Sequence, residues 1–323
     1  MKNATLIREI KQSRRFLIAS HVNPDADGIC GQLALARILR ALGKTATVMT
    51  SELLPGRLSF VPDARRIKVW KPGTALSFDA AVILDCGDLE RIGRVKSLIN
   101  NHRVLNIDHH VTNRQFGRVN CVDPQASSTC EMLFDLAAAL GVKMDRTTAW
   151  LLYAGMMTDT GSFRYENTAS RTHRVAAELI AAGLKPAEIY HQFYERTTTR
   201  DLCLFLKIAN TSERTNEGKI IWLHLTAKQV KAFSDEFDLR DALFHLWRTV
   251  VGVELIVIFT EMRQDSTRVN FRSLAIWDVA QLASRFGGGG HPRASGCTLP
   301  CGLREARNQV EQEIQKRINK KLE

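Results

Sequence analysis

Residues 16–42 read FLIASHVNPDADGICGQLALARILRAL, and the architecture follows from them. The opening apolar run, residues 16–20, predicts a short buried strand. Residues 21–28 (HVNPDADG) then bring one imidazole and two carboxylates close together in the chain. Pro24 belongs neither in a central strand nor in a helix interior, and it biases Asn23 toward an extended shape, so this segment is a turn. Ile29, Leu33, Ala36 and Leu39, with Ile38 and Leu42, recur behind it at helical spacing. The turn therefore lies between the C-terminal end of a strand and the start of a helix. Open α/β sheets bind their ligands at that edge.

His21, Asp25 and Asp27 cannot share a helix face, but a curled turn can aim all three at one point. Carboxylate oxygens with an imidazole suit Mn²⁺ or Mg²⁺, whereas thiolates would suit Zn²⁺ better. The competing reading is a solvated turn whose Asp residues cap the next helix. The triplet alone does not choose between the two.

The same pattern returns further along. Residues 80–84 (AAVIL) are continuously apolar, as a parallel strand buried on both faces should be, and they end at Asp85-Cys86-Gly87-Asp88. Residues 91–100 read as a helix and 104–107 as the next strand, which ends at Asp108-His109-His110. Strand–helix–strand alternation predicts a parallel sheet with right-handed crossovers. Both strand ends then lie on the edge that carries the His21–Asp27 turn. Ser127-Ser128-Thr129 makes a cap for a helix over 131–140. A helix over 146–157 runs into Thr158-Asp159-Thr160-Gly161, and Asp159 adds a further carboxylate.

Gly183 and Pro186 form a stop and restart, after which residues 186–210 read as a helical linker. Strands are expected over 219–226, 255–260 and 268–273. A helix over 277–286 leads into GGGGHPRASG (287–296), and a last helix covers 304–322. The 323 residues are 45% hydrophobic, enough for two domains with full cores. A formal net charge of +11 favours an anionic partner such as a nucleotide or nucleic acid. The seven cysteines are odd in number and scattered, with no C-x-x-C pair, which argues for a reducing cytoplasm and against a disulfide framework or zinc ribbon. No signal-peptide pattern opens the chain. The most apolar later run, 250–259, is interrupted by Glu254 and is too short to span a bilayer, so no membrane partner is expected.

HVNPDAD (21–27), VILDCGD (82–88), NIDHH (106–110) and TDTGSF (158–163) resemble the four ordered motifs of the DHH phosphoesterase family. GGGGHPRASG (287–296) is similar to the signature of the DHHA1 domain attached to it. The resemblance covers nearly the whole chain, and the branch closest in domain make-up is the bacterial nano-RNases that also act as pAp phosphatases. It implies an α/β fold: a parallel-sheet catalytic domain over 1–186, a helical linker over 187–213 and a smaller α/β DHHA1 domain over 214–323, with a cleft between the domains. It implies two Mn²⁺ ions at the sheet edge, with Mg²⁺ as a substitute. His21 and Asp25 would hold one ion, Asp27, His109 and Asp159 the other, and Asp85 both. Asp108 would orient the His109 ring, His110 would face the scissile phosphate, and a bridging water would be the nucleophile.

In the DHHA1 domain, Arg272, Gly289, Gly290, His291 and Arg293 would grip phosphates or a terminal nucleotide. The activity implied is hydrolysis of short oligoribonucleotides to mononucleotides, with removal of the 3′-phosphate of pAp, in the cytoplasm and in a chain free to form a homodimer. The rivals are a cyclic-dinucleotide phosphodiesterase and a basic RNA-binding protein that keeps the fold without chemistry. Taken alone, the glycine run reads as a helix cap and a flexible loop, and His110 and His291 as ordinary buried histidines. The family commonly follows its second aspartate with a small residue and then Gly-Ser. Here the order is Gly28-Ile29-Cys30-Gly31, and that serine is missing.

Overall fold

The computed structural model describes residues 4–99, 102–262 and 265–319. The expected ends of two helices, at Asn100 and Leu322, lie outside them. The chain forms two compact units, Met1–Glu195 and Arg196–Glu323.

The first unit is built on strands β1 (Arg15–Ala19), β2 (Thr45–Thr50), β3 (Lys68–Val69), β4 (Ala80–Leu84), β5 (Arg103–Asp108) and β6 (Val119–Val122). They lie in the order β3-β2-β1-β4-β5-β6, and every pairing is parallel. Its helices are α1 (Ala4–Gln12), α2 (Ala26–Ala41), α3 (Thr129–Ala139), α4 (Arg146–Asp159), α5 (Ser170–Ala181) and α6 (Pro186–Tyr194). Side chains alternate across a strand. Ala80, Val82 and Leu84 accordingly enter one core with Phe16, Ile18 and the apolar faces of α2, α3 and α4. Ala81 and Ile83 enter a second core with Leu17, Ala19, Phe78, Ile92 and Val95. AAVIL has no polar residue because neither face of β4 meets water.

Register aligns the strand ends. Ala19 lies opposite Ile83, and Leu84 opposite Ile107. The turns after β1, β4 and β5 therefore leave the sheet on one edge. In place of the regular helix expected over 91–100, residues 89–98 are of 3-10 type and break at Gly93, whose φ is 62°. A Cβ there would lie 2.6 Å from both Val22 Cγ1 and Ser51 Oγ, so the kink lets the segment press against the turn after β1. The Val22 N–H donates to the Arg91 carbonyl at 2.7 Å across that contact.

The second unit contains α7 (Thr199–Ala209), β7 (Glu213–Thr215), β8 (Ile220–Leu225), α8 (Ala227–Lys231), α9 (Leu239–Arg248), β9 (Leu255–Glu261), β10 (Thr267–Ser273), α10 (Val279–Ser284), β11 (Gly289–His291), β12 (Ala294–Leu299) and α11 (Leu303–Asn319). The sheet order is β11-β12-β10-β9-β8-β7. Only β8 and β9 run parallel; the other neighbours are antiparallel. Trp222, Val257, Phe259, Val269 and Phe271 pack one face under α10 and α11. Ile221, Leu223, Ile256 and Ile258 pack the other with α7 and α9. In the stretch read as a helical linker, α6 sends Ile189 into the first unit's core and α7 sends Ile208 and Ala209 into the second's.

Two local expectations change here. The helix read over 277–286 is shorter, because Asp278 caps it by accepting from the Gln281 N–H at 3.1 Å. The glycine run is not a flexible loop: β11 and β12 pair as a hairpin, with Gly289 opposite Gly296 and His291 opposite Ala294.

Candidate active site

His21 follows β1 by two residues. Its Nδ1 lies 2.8 Å from the Val22 carbonyl, which can only accept, so that nitrogen carries the proton and Nε2 is left as a lone-pair donor. Asp25 is the N-cap of α2 and accepts from the Gly28 N–H at 3.0 Å. The capping reading of this aspartate is thus correct as far as one oxygen goes. Asp27, two residues further in, is buried and accepts from the Thr129 and Cys130 N–H groups at 2.8 and 3.0 Å. Those are the first N–H groups of α3, so the carboxylate sits where the helix dipole favours negative charge. Each charge-assisted bond contributes about 1.5–3 kcal/mol.

Asp85 stands at the end of β4 with a left-handed φ of 52°, a conformation non-glycine residues seldom take. That turn aims the buried carboxylate along the edge. Oδ2 lies 3.5 Å from His21 Nε2. Oδ1 lies 3.6 Å from His109 Nε2 and 3.7 Å from His110 Nδ1. Asp159, the last residue of α4, places Oδ2 3.5 Å from His109 Nε2. Three groups emerge whose ligand atoms lie within 4.8 Å of one another: His21, Asp25 and Asp85; Asp27, His109 and Asp159; Asp85, His109 and His110.

Asp108 differs from expectation. Its Oδ1 takes the His110 Nδ1 proton at 2.6 Å, and its Oδ2 accepts from Asn113 Nδ2 at 2.6 Å. β5 ends at Asp108, and the two imidazoles that follow stand side by side, their ring centres 4.8 Å apart; His110 is the one whose Nδ1 reaches back to Asp108. Asp108 therefore orients His110, whereas the resemblance had assigned it to His109.

Burial would lower both imidazoles, but the neighbouring carboxylates outweigh it. The Asp85 hydrogen bond and the charges of Asp25 and Asp85 raise His21 to about 9. Asp85, Asp159 and Asp27 raise His109 to about 10. Burial and then the charge of Asp85 push Asp27 up to about 7. Asp85 stays well below the usual carboxylate range, because His109 and His21 outweigh its burial. The protons held on Asp27 and the two imidazoles limit the repulsion among the crowded carboxylates. Divalent cations would do the same more completely. The donors fit a hard cation: carboxylate oxygens and imidazole Nε2 converge, while the Cys130 thiol is turned to the Asp27 carbonyl at 3.7 Å.

In the second unit, Arg272 on β10 lies opposite Ala294, which in turn lies opposite His291. Directly paired residues project to the same face, so Arg272 and His291 share one. Gly290 lies opposite Ser295 on the hairpin. The Arg293 carbonyl accepts from the Ser273 N–H at 2.9 Å, which fixes the turn of the hairpin beside the end of β10.

The model of the DHH family, N-terminal domain, matches residues 15–156, and that of the DHHA1 domain matches residues 225–322. The bifunctional oligoribonuclease and PAP phosphatase NrnA of Thermus thermophilus is 34% identical over 286 residues, 87% of this chain and 83% of that one. The chain belongs to the DHH family of phosphoesterases. The Bacillus subtilis protein of the same description is 28% identical over 91% of this chain and 92% of its own. A solved structure of an exopolyphosphatase-related protein from Bacteroides fragilis superposes with a TM-score of 0.89 at 24% identity, over 98% of this chain and 96% of that one, and shows the same fold.

Three supports of this DHH site escaped sequence reading: the α3 N–H groups that hold Asp27, Asn113 behind Asp108, and Asn167. Asn167 Nδ2 donates to the Ser127 carbonyl at 2.8 Å and to the Asp159 carbonyl at 3.3 Å, tying the start of α3 to the end of α4. The Ser128 cap was a usable signal for the first of these, since a capped helix start facing an acidic turn suggests an anion contact.

Proposed function

We propose that this phosphoesterase hydrolyses short oligoribonucleotides to mononucleotides and removes the 3′-phosphate of pAp, using two divalent cations of which Mn²⁺ serves best. His21 and Asp25 hold one cation, Asp27, His109 and Asp159 the other, and Asp85 both. The observation that carries this reading is Asp85, whose two oxygens face different imidazoles at 3.5 and 3.6 Å, the disposition of a shared ligand. Two cations held there supply Lewis-acid charge to a phosphoryl group and make water acidic enough to lose its proton near neutral pH.

The chain's own residues do the rest. Asp108 fixes the tautomer of His110 by accepting from Nδ1, so Nε2 carries the lone pair and is the nitrogen that can take up a proton and then give it to the leaving oxygen. Asn113 keeps Asp108 from turning away. Arg272, His291, Arg293 and the backbone of Gly289 and Gly290 hold the nucleotide by its phosphates. The substrates follow those named for the relatives above, and both are anions, as the net charge of +11 favours. Seven free cysteines, six of them buried, suit a cytoplasmic setting. Among the described residues no helix is long and apolar enough to cross a membrane.

The test is a substrate panel. EDTA-stripped protein receives Mn²⁺, Mg²⁺ or neither, with pAp, a diribonucleotide and a cyclic dinucleotide. We expect no turnover without metal, more with Mn²⁺ than Mg²⁺, and the two linear substrates cleaved faster than the cyclic one. Diribonucleotide turnover by metal-free protein would refute the metal mechanism, and fastest cleavage of the cyclic substrate would refute the substrate assignment.

A further inference from the structure

One arginine beside the candidate site has no task in the reading above. Arg91 is the third residue of the 89–98 segment and is exposed. Its carbonyl accepts from the Val22 N–H at 2.7 Å, next to His21 in the chain, and the kink at Gly93 lets the segment press into that contact. Burial, the Asp85 hydrogen bond and the carboxylate charges dominate the His21 imidazole, and the positive charge that opposes those carboxylates is that of Arg91. The same charge acts on the thiol of Cys86, the neighbour of Asp85, which burial pushes up to about 12. The guanidinium therefore stands within electrostatic reach of His21 on one side and of the residue beside Asp85 on the other.

The Arg91 side chain makes no hydrogen bond and no ion pair among the described residues. The arginines that follow the other motifs are engaged: Arg114 Nη1 pairs with Asp88 at 2.7 Å, and Arg164 Nε donates to the Gly161 carbonyl at 2.7 Å. An exposed arginine is ordinarily just solvated, but the charge count gives this one a role. In the reading above, the carboxylates of Asp25, Asp27, Asp85 and Asp159 are balanced by two divalent cations. An arriving phosphate then brings negative charge to a cluster with none to spare. In the transition state that charge lies on the equatorial oxygens of the transferring group.

We propose that Arg91 is a catalytic residue, its guanidinium donating to an equatorial oxygen of the phosphoryl group under attack. This rests on the reading that the cluster is a phosphoesterase site. A guanidinium suits the task because its fork of N–H groups matches a phosphate and stays charged at any working pH. A donor fixed before the reaction stabilises charge that develops there without reorganising. The contact that places Arg91 is made by its backbone carbonyl, so the side chain is free to reach outward and can be replaced without undoing the turn. Arg91 differs in duty from Arg272 and Arg293, which hold a phosphate that is not the reacting one.

The test compares the full chain with Arg91→Ala, Arg91→Gln and Arg91→Lys on a 5′-phosphorylated diribonucleotide and on bis-p-nitrophenyl phosphate, both with saturating Mn²⁺. Arg91→Ala and Arg91→Gln should lower kcat on both substrates by about a hundredfold to a thousandfold, the scale of removing one donor to developing charge. Arg91→Lys restores the charge without the fork and should recover about tenfold of that loss. A second readout needs no turnover: Mn²⁺ titration of the metal-stripped variants should reach the wild-type number of ions, bound no more weakly, because a repelling charge has been removed. Melting curves confirm that each variant is folded. Undiminished hydrolysis of bis-p-nitrophenyl phosphate by Arg91→Ala and Arg91→Gln would overturn the inference, and so would Mn²⁺ binding that weakens in step with activity, since Arg91 would then only support the cluster. Wild-type protein that hydrolyses neither substrate would refute the phosphoesterase reading itself, whereas wild-type turnover matched by Arg91→Ala sinks this inference alone.

Discussion

Asp85 and Asp88 are three residues apart and have opposite duties. Asp85 is buried among three imidazoles. Asp88 caps the following segment by accepting from the Glu90 N–H at 3.0 Å and pairs with exposed Arg114. Asp85→Ala should lower turnover by roughly a hundredfold to a thousandfold, the scale of losing one charged group at a reacting centre. Asp88→Ala should cost about 1 kcal/mol of stability, as a lost cap does, and little activity; steady-state rates and melting curves on both variants check this. The same cluster predicts a pH dependence for metal-free protein. His109 at about 10 and His21 at about 9 exceed the 6.5 of an ordinary imidazole, and Asp27 at about 7 exceeds 3.8. A group that holds its proton more tightly when folded stabilises the fold fully below its unfolded value and loses that contribution as pH rises through its folded value. The melting temperature of EDTA-treated protein should therefore fall from about pH 6 to about pH 10. Mn²⁺ should cancel most of the fall, since it takes the protons' place. A metal-free melting temperature that stays level across that range would contradict the electrostatics described here.

At the scale of elements, the site depends on how closely α4 approaches α2 and α3. Gly155 makes that approach: a Cβ there would lie 2.3 Å from Cys130 Sγ and 2.8 Å from Asp27 Oδ1. Gly155→Ala should destabilise the protein by about 1–3 kcal/mol, the usual cost of overpacking, and should weaken Mn²⁺ binding by displacing Asp27. Adding Cys130→Ala removes the nearer obstacle, so the double variant should lose less stability than the single, which thermal melts resolve. The elements that carry this contact were legible because each announces itself locally. AAVIL could only be a strand buried on both faces, and the run after Pro24 has helical spacing. Short elements were not legible. β6 and β7 went unread, since a strand of three or four residues has too few alternations to show a period; the helices α8 and α9 went unread as well. Residues 89–98 have helical composition, yet Gly93 answers to Val22 and Ser51, which are distant in sequence. The pairing of Asp108 with His110 was missed because a motif gives the order of its residues and not the side each one takes.

For the whole molecule, the cation-binding candidates among the described residues all belong to the first unit, and Arg272, His291 and Arg293 to the second. If the second unit only holds substrate, Arg272→Ala and Arg293→Ala should each lower kcat/KM for a 5′-phosphorylated diribonucleotide by roughly tenfold to a hundredfold, one charge-assisted phosphate contact being worth about 1.5–3 kcal/mol. Hydrolysis of bis-p-nitrophenyl phosphate, which offers no second phosphate to grip, should change little. Equal losses on both substrates would mean that these arginines take part in the chemistry or support the fold. The change of character read from Lys219 on, where strands replace the βα alternation, falls inside the second unit, which begins at Arg196. The hairpin within the glycine run was not legible, because glycine has no side chain to show a strand period. The central claim is that Asp85 is shared by two cations, and counting them tests it most directly. Titration of metal-stripped wild-type protein with Mn²⁺ should saturate at two ions per chain, and Asp85→Ala, shown by its melt to be folded, should hold at most one. A single ion in wild type, or two undiminished in Asp85→Ala, would contradict it.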